Sequence, residues 1–337
     1  MTLEDLHVFA IVADHLNLSA AANALGRTQP AISQHVRRLE QELGIVLLER
    51  GRRGVELSEA GELLAFASRE VLSTLSRARR SIAELADPFS GVVRVATGGS
   101  TVRHFMAQAI SAFRSSHPNV VIEFHSANTS RRCLDAVRRD EADLAFVTLS
   151  RLLPDLDTLV VVESGWTLVE SLDQPELTPD CAGLSARELP GEDTYISLRP
   201  GSVAGQALTD ELDDIGVVLQ PVTTVDDWDT AVTLVELKLG WALVPALHAQ
   251  ALAASNHRVR VTPITDLAPI RFGWAAMHHD MLSATAKAFL DVFLSHHALP
   301  DTSQSRVFEP SWQTRGKRTD RAEASPGRGP ASASRKA

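Results

Sequence analysis

Pro30, Gln34, Arg37 and Gln41 recur at four- and three-residue spacing, with Ser33 on their flank. At about 100° per residue they share one helix face, offering amide, hydroxyl and guanidinium groups and no large apolar side chain. Ile32, Val36, Leu39 and Leu43 fall on the opposite face and would back the helix against a core. A backed helix with hydrogen-bonding heads outward is what reading base edges in the major groove of DNA requires. The spacing also fits an ordinary surface helix pair, so the neighbouring elements carry the decision.

Those heads need a scaffold. Ser19 is placed to cap a short helix, Gly26-Arg27-Thr28 makes a tight turn, and Thr28 caps the reading helix with Pro30 in its first turn. A helix from about Leu3 to His15 packs across both through Leu6, Phe9, Ala10, Ala13 and Leu16. Gly44 stops the reading helix, and Ile45–Leu57 reads as two short strands around Gly51-Arg52-Arg53-Gly54. Such a wing offers guanidinium groups to phosphates or the minor groove; a solvated basic turn is the alternative. From Ser58 to about Ala86 the chain is helical. Leu64, Ala67, Val71, Leu75, Ala78, Ile82 and Leu85 form a seam of about three heptads that a second copy, or the chain's own body, must cover.

Composition sets the frame. The 337 residues allow two or three domains, and 44% apolar with 22% charged content is that of a soluble globular protein. No apolar run approaches the ~20 residues of a membrane span, and the early Glu4 and Asp5 do not suit a secretory signal, so no membrane association and a cytoplasmic location are expected. Cys133 and Cys181 give neither a disulfide framework nor a metal cluster, and no cofactor is expected. The net charge of −9 hides an asymmetry: Arg37, Arg38, Arg50, Arg52 and Arg53 crowd the N-terminal region, while acids such as Asp210-Glu211, Asp213-Asp214 and Asp226-Asp227 lie beyond it. A basic reading head on an acidic body is compatible with DNA binding.

After Asp87-Pro88 strand-like and helical runs alternate: Val92–Ala96, Ser100–Ser116, Val120–Phe124, Ser130–Arg139 and Leu144–Val147 form a βαβαβ unit. A second set begins at Trp166–Val169 and Tyr195–Ser197, continues through helices near Ala204–Leu212 and Asp227–Leu239 with a strand at Val218–Thr223, and ends at Trp241–Pro245. Ile270–Met277 and a helix at about Leu282–His296 close the body. Gly98-Gly99-Ser100-Thr101 joins a strand end to a helix start, where free N–H groups and hydroxyls welcome a carboxylate or other anion. Thr129, Thr148, Ser202 and Val203 are placed to face the same cleft, although each hydroxyl could equally serve as a helix cap. Trp228, among aspartates, suits a packed cap region better than the cleft. No GxSxG elbow, HExxH or CxxC is present, and His278-His279-Asp280 reads as solvent-facing rather than metal-binding. Residues 301–337, rich in Ser, Pro, Gly and Arg, read as a disordered tail.

Residues 1 to about 86 resemble the winged helix-turn-helix and linker helix of LysR-type transcriptional regulators. The match lies in Leu6 and Phe9, Ser19-Ala20-Ala21-Ala22, Leu25, Gln29-Pro30-Ala31-Ile32-Ser33, Arg38-Leu39-Glu40, Leu43-Gly44, Leu47-Leu48-Glu49-Arg50 and Leu57-Ser58-Glu59-Ala60-Gly61. Leu48 stands where Phe is usual, Asn17-Leu18 where a Ser-Phe pair is common, and Lys238 where a small residue is common. The resemblance extends to about residue 300 and implies a multidomain α/β chain. A winged helix-turn-helix domain would span 1–57, a linker helix 58–87 and a two-lobed, periplasmic-binding-protein-like effector domain 88–300. Its first lobe would take about 91–163 and 268–298, its second about 166–265.

By the same resemblance a homodimer or homotetramer binds an interrupted inverted repeat in double-stranded DNA and communicates with RNA polymerase. Gln29, Pro30, Ser33, Gln34 and Arg37 would face bases, while Thr28, Arg50, Arg52 and Arg53 anchor the backbone or minor groove. Ser100, Thr101, Thr129 and Ser202 would contact a small, anionic effector, joined on position alone by Thr148 and Val203. Two other classes stay open: a small-molecule-binding protein or enzyme that uses its N-terminal helices only to dimerise, and a thiol-based redox sensor acting through Cys133 and Cys181.

Overall fold

The computed structural model describes residues 1–51, 54–86, 91–127, 129–149, 153–173, 183–191, 194–199, 201–255, 258–296 and 304–314. The chain opens with α1 (Leu3–His15), α2 (Leu18–Ala24) and α3 (Gln29–Leu43), followed by β1 (Leu48–Gly51) and β2 (Gly54–Leu57). Val8, Phe9, Val12, Ile32, Val36, Leu39 and Leu47 meet in their shared core. Asp5 fastens α1 to α3: it closes a capping box with Thr2 and is bonded to His35 at 2.8 Å and Arg38 at 2.9 Å while fully buried. Three sequence expectations change here. Leu16, the left-handed C-cap of α1, is exposed rather than packed across the other helices. Asn17, not Ser19, caps α2, because its Oδ1 accepts from the N–H groups of both Ser19 and Ala20. Leu43 ends α3 beyond the reach of α1 and is 45% exposed rather than part of the backing.

Helix α4 (Glu59–Ala86) leaves the head along α1, with Arg69 paired to Asp14 at 2.7 Å. Its first turns bury Ala65 and Ser68, but Leu63, Phe66, Val71, Leu75 and Ile82 stay exposed, so among the described residues nothing covers most of the apolar seam. The far end is clamped electrostatically to the body. Arg80 bonds Asp140 at 2.9 Å and Asp143 at 3.2 Å, and Arg94 closes the cluster on Asp143 at 2.7 Å. Burial alone would raise the Asp140 carboxyl, but hydrogen bonds from Arg80 and Ser76 and the charges of Arg80 and Arg94 outweigh it and hold it low. A depressed carboxylate stabilises the fold above its ordinary value and loses that contribution as pH falls through its folded value. The clamp is therefore expected to persist through the ordinary carboxylate range and to open only in acid below it. Hydrogen exchange over residues 76–86 checks this, and Arg80→Ala should show the faster exchange already at neutral pH.

The body is built on two mixed sheets. Its strands are β3 (Gly91–Thr97), β4 (Val120–Ser126), β5 (Leu144–Thr148), β6 (Asp157–Ser164), β7 (Trp166–Ser171), β8 (Tyr195–Leu198), β9 (Thr223–Val225), β10 (Trp241–Pro245), β11 (Val259–Ile264) and β12 (Ile270–Ala276). Two more follow near the end, β13 (Ser305–Val307) and β14 (Trp312–Gln313). A seven-stranded sheet runs β13-β6-β12-β5-β3-β4 with β14 also on β6, and a five-stranded sheet runs β11-β7-β10-β8-β9. The chain crosses between them at Gly165 and returns before β12, so the first lobe is discontinuous. Its parallel β3–β4 and β3–β5 pairs are the βαβαβ unit read from the sequence. The strand expected at Val218–Thr223 forms instead at Thr223–Val225, since Gly216 turns the chain at φ +75° and Val218 and Val222 face solvent.

Helical cover comes from Gly99–Thr101 (α5), Ala107–Ser116 (α6), Ser130–Arg138 (α7), Val203–Asp214 (α8), Trp228–Glu236 (α9), Ala246–Ser255 (α10) and Ala284–His296 (α11). Between α5 and α6, Val102–Met106 forms a π turn, so the three pieces make one rod. The tail expected from residue 301 is corrected for 304–314. β13 and β14 pair antiparallel with β6, whose free edge would otherwise expose a row of backbone donors and acceptors. Trp312 stacks on His279 with ring centroids 5.0 Å apart, and that histidine is bonded to Asp157 at 2.9 Å. Residues 315–337 lie outside the described residues. No helix among the described residues is long and apolar enough to cross a membrane.

Candidate functional site

The head presents its reading surface openly. Thr28, Gln29, Pro30, Gln34 and Arg37 are exposed, and Ser33 is half-buried on the flank. Thr28 occupies the cap position of α3 without spending its hydroxyl on a capping bond. Charge separates the arginines by role. Arg27 is paired to Glu4 at 2.7 Å and Arg38 to Asp5, whereas the side chains of Arg37 and exposed Arg50 bond to no other described residue. The β1–β2 hairpin carries Arg50 up to Gly51, opposite Gly54; Arg52 and Arg53 lie outside the described residues. Two anchors set this wing. Glu40 Oε1 accepts from the N–H groups of Leu47 and Leu48, and the Val55 N–H donates to the Leu16 carbonyl at 3.1 Å.

The second site is a cavity of about 530 Å³ between the lobes. Strand ends deliver its walls, the place where an α/β sheet offers a crevice. Ser100, Thr101, Thr129, Thr148 and Ser202 all line it; Val203, the first residue of α8, does not. Thr129 and Ser202 also cap their helices, accepting from Arg132 and Gly205 N–H groups, while Ser100 and Thr101 bond to no other described residue through their hydroxyls. Gly98 precedes α5 with no side-chain cap, and Gly98 to Thr101 all line the cavity, so the helix start lies at its wall.

Sequence reading missed several lining groups. Arg103 stands exposed on the π turn, bonded to no other described residue, where a π turn often marks a functional site. Across from it Asp226, Asp227 and Asp229 line the second-lobe wall, each already partnered: Arg199 at 3.2 Å, the Thr230 N–H at 2.8 Å, and His104 of the first lobe at 3.0 Å. Trp228 is both buried and a cavity wall, edge-on to Trp166. The aspartate cluster was the visible signal; His248 and Phe272, brought in by α10 and β12, gave none.

Cys133 borders the same cavity but is 2% exposed, and burial pushes its thiol up to about 11. Thiolate reactivity requires the opposite environment. Alkylation of Cys133 by iodoacetamide at pH 8 is expected to run at least ~100-fold slower than that of an exposed cysteine, with peptide mass mapping as the check. Cys181 lies outside the described residues.

Residues 3–62 match the family description "Bacterial regulatory helix-turn-helix protein, lysR family", and residues 86–298 match "LysR substrate binding domain". A probable hydrogen peroxide-inducible genes activator of Streptomyces viridosporus is 29% identical over 280 residues, covering 80% of this chain and 86% of the relative. The HTH-type transcriptional regulator CysB of Haemophilus influenzae is 30% identical over 248 residues, 73% of this chain and 76% of its own. Among solved structures, a full-length OxyR variant from Pseudomonas aeruginosa aligns with a TM-score of 0.57 at 19% identity, covering 88% of this chain and 97% of that one. HinK, a LysR family transcriptional regulator from the same organism, aligns at 0.52 and 16% identity over 87% and 98%. At such identities the structural likeness speaks to the fold alone. The two family matches span most of the sequence, and the chain belongs to the LysR family of DNA-binding transcriptional regulators, a helix-turn-helix head joined to an effector-binding body.

Proposed function

We propose that two or four copies of this chain bind double-stranded DNA at an interrupted inverted repeat, and that a small anionic effector in the interlobe cleft changes how they do so. The observation that carries the first half is Arg37: an exposed guanidinium, unpaired among the described residues, beside exposed Gln34 and Gln29 on a helix whose other face is core. Gln29, Pro30, Ser33, Gln34 and Arg37 face bases; Thr28, Arg50, Arg52 and Arg53 hold the backbone or minor groove. The exposed seam of α4 fits a second copy of the same helix, giving a homodimer, or a homotetramer over two sites. A head domain over 1–57, a linker over 58–87 and an effector domain over 88–300 suit that division of labour. Action on chromosomal DNA and RNA polymerase implies a cytoplasmic site of work.

For the effector, the support is Ser100, Thr101, Thr129, Thr148 and Ser202 around uncapped N–H groups, with Arg103 adding positive charge. Binding there would shift relative lobe placement and, through the Arg80 clamp, the linker helix. The peroxide-related name of one relative raises a thiol-sensing alternative, and the buried, raised thiol of Cys133 disfavours that residue as the sensor. The test is a footprint of the full-length protein on the DNA upstream of its own gene at two salt concentrations. A protected inverted repeat, weakening steeply with salt, is expected. Absence of binding at low salt on that DNA and on genomic fragments would sink the reading. Carboxylates that leave footprint, bend and transcription unchanged would remove its second half.

A further inference from the structure

The cleft holds one group that anion binding leaves unused. His248, on the first turn of α10 in the second lobe, is 3% exposed and lines the cavity. Rings from both lobes enclose it: Phe105 edge-on at 5.0 Å, Phe272 at 5.7 Å and Trp228 at 6.3 Å between centroids. The imidazole has no hydrogen bond to any other described residue, and its Nδ1 is sealed from solvent. The polar neighbour, His104, is already bonded to Asp229. Burial, aided by the charge of His104, pushes His248 down to about 3, so the ring is neutral, with one nitrogen a donor and the other an acceptor. A phenylalanine would fill an aromatic box of this kind with no polar atom to desolvate. An imidazole placed there keeps hydrogen-bonding capacity that the described residues leave unused, and buried polar groups in folded proteins are as a rule partnered.

We infer that His248 is the specificity-determining residue of the cleft, selecting a ligand whose anionic end sits at Gly99–Thr101 and whose other end carries an uncharged hydroxyl or carbonyl. The inference rests on the anion reading above and narrows it. A neutral imidazole can donate to a carbonyl or exchange a hydrogen bond with a hydroxyl, but it adds no charge to hold a second anion. Asp226, Asp227 and Asp229 on the same wall make a second carboxylate less welcome still. The class of ligand is thus a hydroxy- or oxo-monocarboxylate rather than a dicarboxylate or a plain fatty or aromatic acid. Discrimination of this sort is strong because the analogue lacking the polar group leaves the buried imidazole unpaired.

The test is calorimetric titration of the full-length protein with matched acids: butyrate, 3-hydroxybutyrate and acetoacetate; benzoate, 3-hydroxybenzoate and 4-hydroxybenzoate; and succinate. At least one hydroxylated or oxo acid is expected to bind tenfold or more tighter than its parent, with succinate weaker than both. His248→Phe should bring that pair within twofold while the parent acid keeps its affinity, and His248→Gln should retain most of the preference. A preference that survives His248→Phe overturns the role of His248 and leaves the anion reading standing. Equal binding of every pair, or tightest binding of succinate, overturns the ligand class. Failure of all the acids to bind removes the anion reading and this inference with it. Should the variants not fold, the 15N resonances of the His248 imidazole in the native protein decide. They must shift with the substituted acid and not with its parent, and unmoved resonances refute the contact.

Discussion

Replacing Arg37 by alanine is expected to weaken operator binding by about 1–3 kcal/mol, roughly 5- to 150-fold, while leaving the thermal midpoint of the head unchanged. The asymmetry follows from position. Arg37 is exposed on α3 and bonded to no other described residue, so folding loses nothing when it goes. A guanidinium that makes two parallel hydrogen bonds to a guanine edge is hard to replace. Arg37→Lys should therefore keep the salt dependence of binding but lose preference at one base position. Arg38→Ala is the informative contrast, since Arg38 is paired to the buried Asp5 that ties α1 to α3. It should lower the stability of the head and affect DNA only through that loss. Mobility shifts on the operator and on single-base variants of it distinguish the cases. If Arg37→Ala lowers affinity uniformly across sequences and reduces the salt slope by about one, the residue contacts phosphate and not a base.

What can be read from the sequence, and what cannot, divides along the range of the interactions involved. The apolar spacing of α3 and α1, the stop at Gly44 and the wing flanked by glycines are local, and the head is legible from them. Capping is legible in type but not in place, because Asn17 and Ser19 are both competent and only the chain's entry path selects Asn17. The first βαβ unit announces itself by alternating periods. Strand β6 does not: both its faces are covered, so its Val-rich run lacks alternation. β13 and β14 read as tail because Ser, Gln and Pro surround them, and what orders them is an edge some 140 residues earlier in the chain. Lys238 shows the reverse. It stands where a small residue is common, and its φ of +63° gives the physical reason for that preference.

The cleft divides the same way. Hydroxyls after strand ends can be guessed from βα turns, and all five so chosen line one cavity. His248 follows β10 with no motif around it, and its surroundings come from Phe105 and Phe272, far away in sequence. Val203 fails for a simple reason. Ser202 is the cap and looks into the cavity, and the next residue has already turned into the first turn of α8.

Gly61→Ala is expected to damage DNA binding although Gly61 touches no part of the reading face. An alanine Cβ at this position would stand 2.1 Å from the Leu47 carbonyl oxygen and 3.4 Å from the Leu57 side chain. The backbone must move, because that carbonyl is held where it accepts from the Ser58 N–H at 3.0 Å. Overpacking of this kind costs about 1–3 kcal/mol, a large share of what a small domain has to spare. Leu47 is also where Glu40 of α3 grips the wing strand, so relief of the clash displaces α4 relative to both DNA-contacting elements. Two heads on a linker dimer must present their helices at a set separation. A displaced linker should consequently reduce affinity for the complete inverted repeat by more than tenfold while reducing affinity for an isolated half-site much less. Gly26→Ala separates this effect from glycine loss in general. Gly26 has φ +62° but nothing within 4 Å of an added Cβ, so its replacement should cost about 1 kcal/mol of stability and leave the ratio of full-site to half-site affinity unchanged. Equal losses on both DNAs for Gly61→Ala would show that the joint at Leu47 sets the fold of the head but not the spacing of the pair.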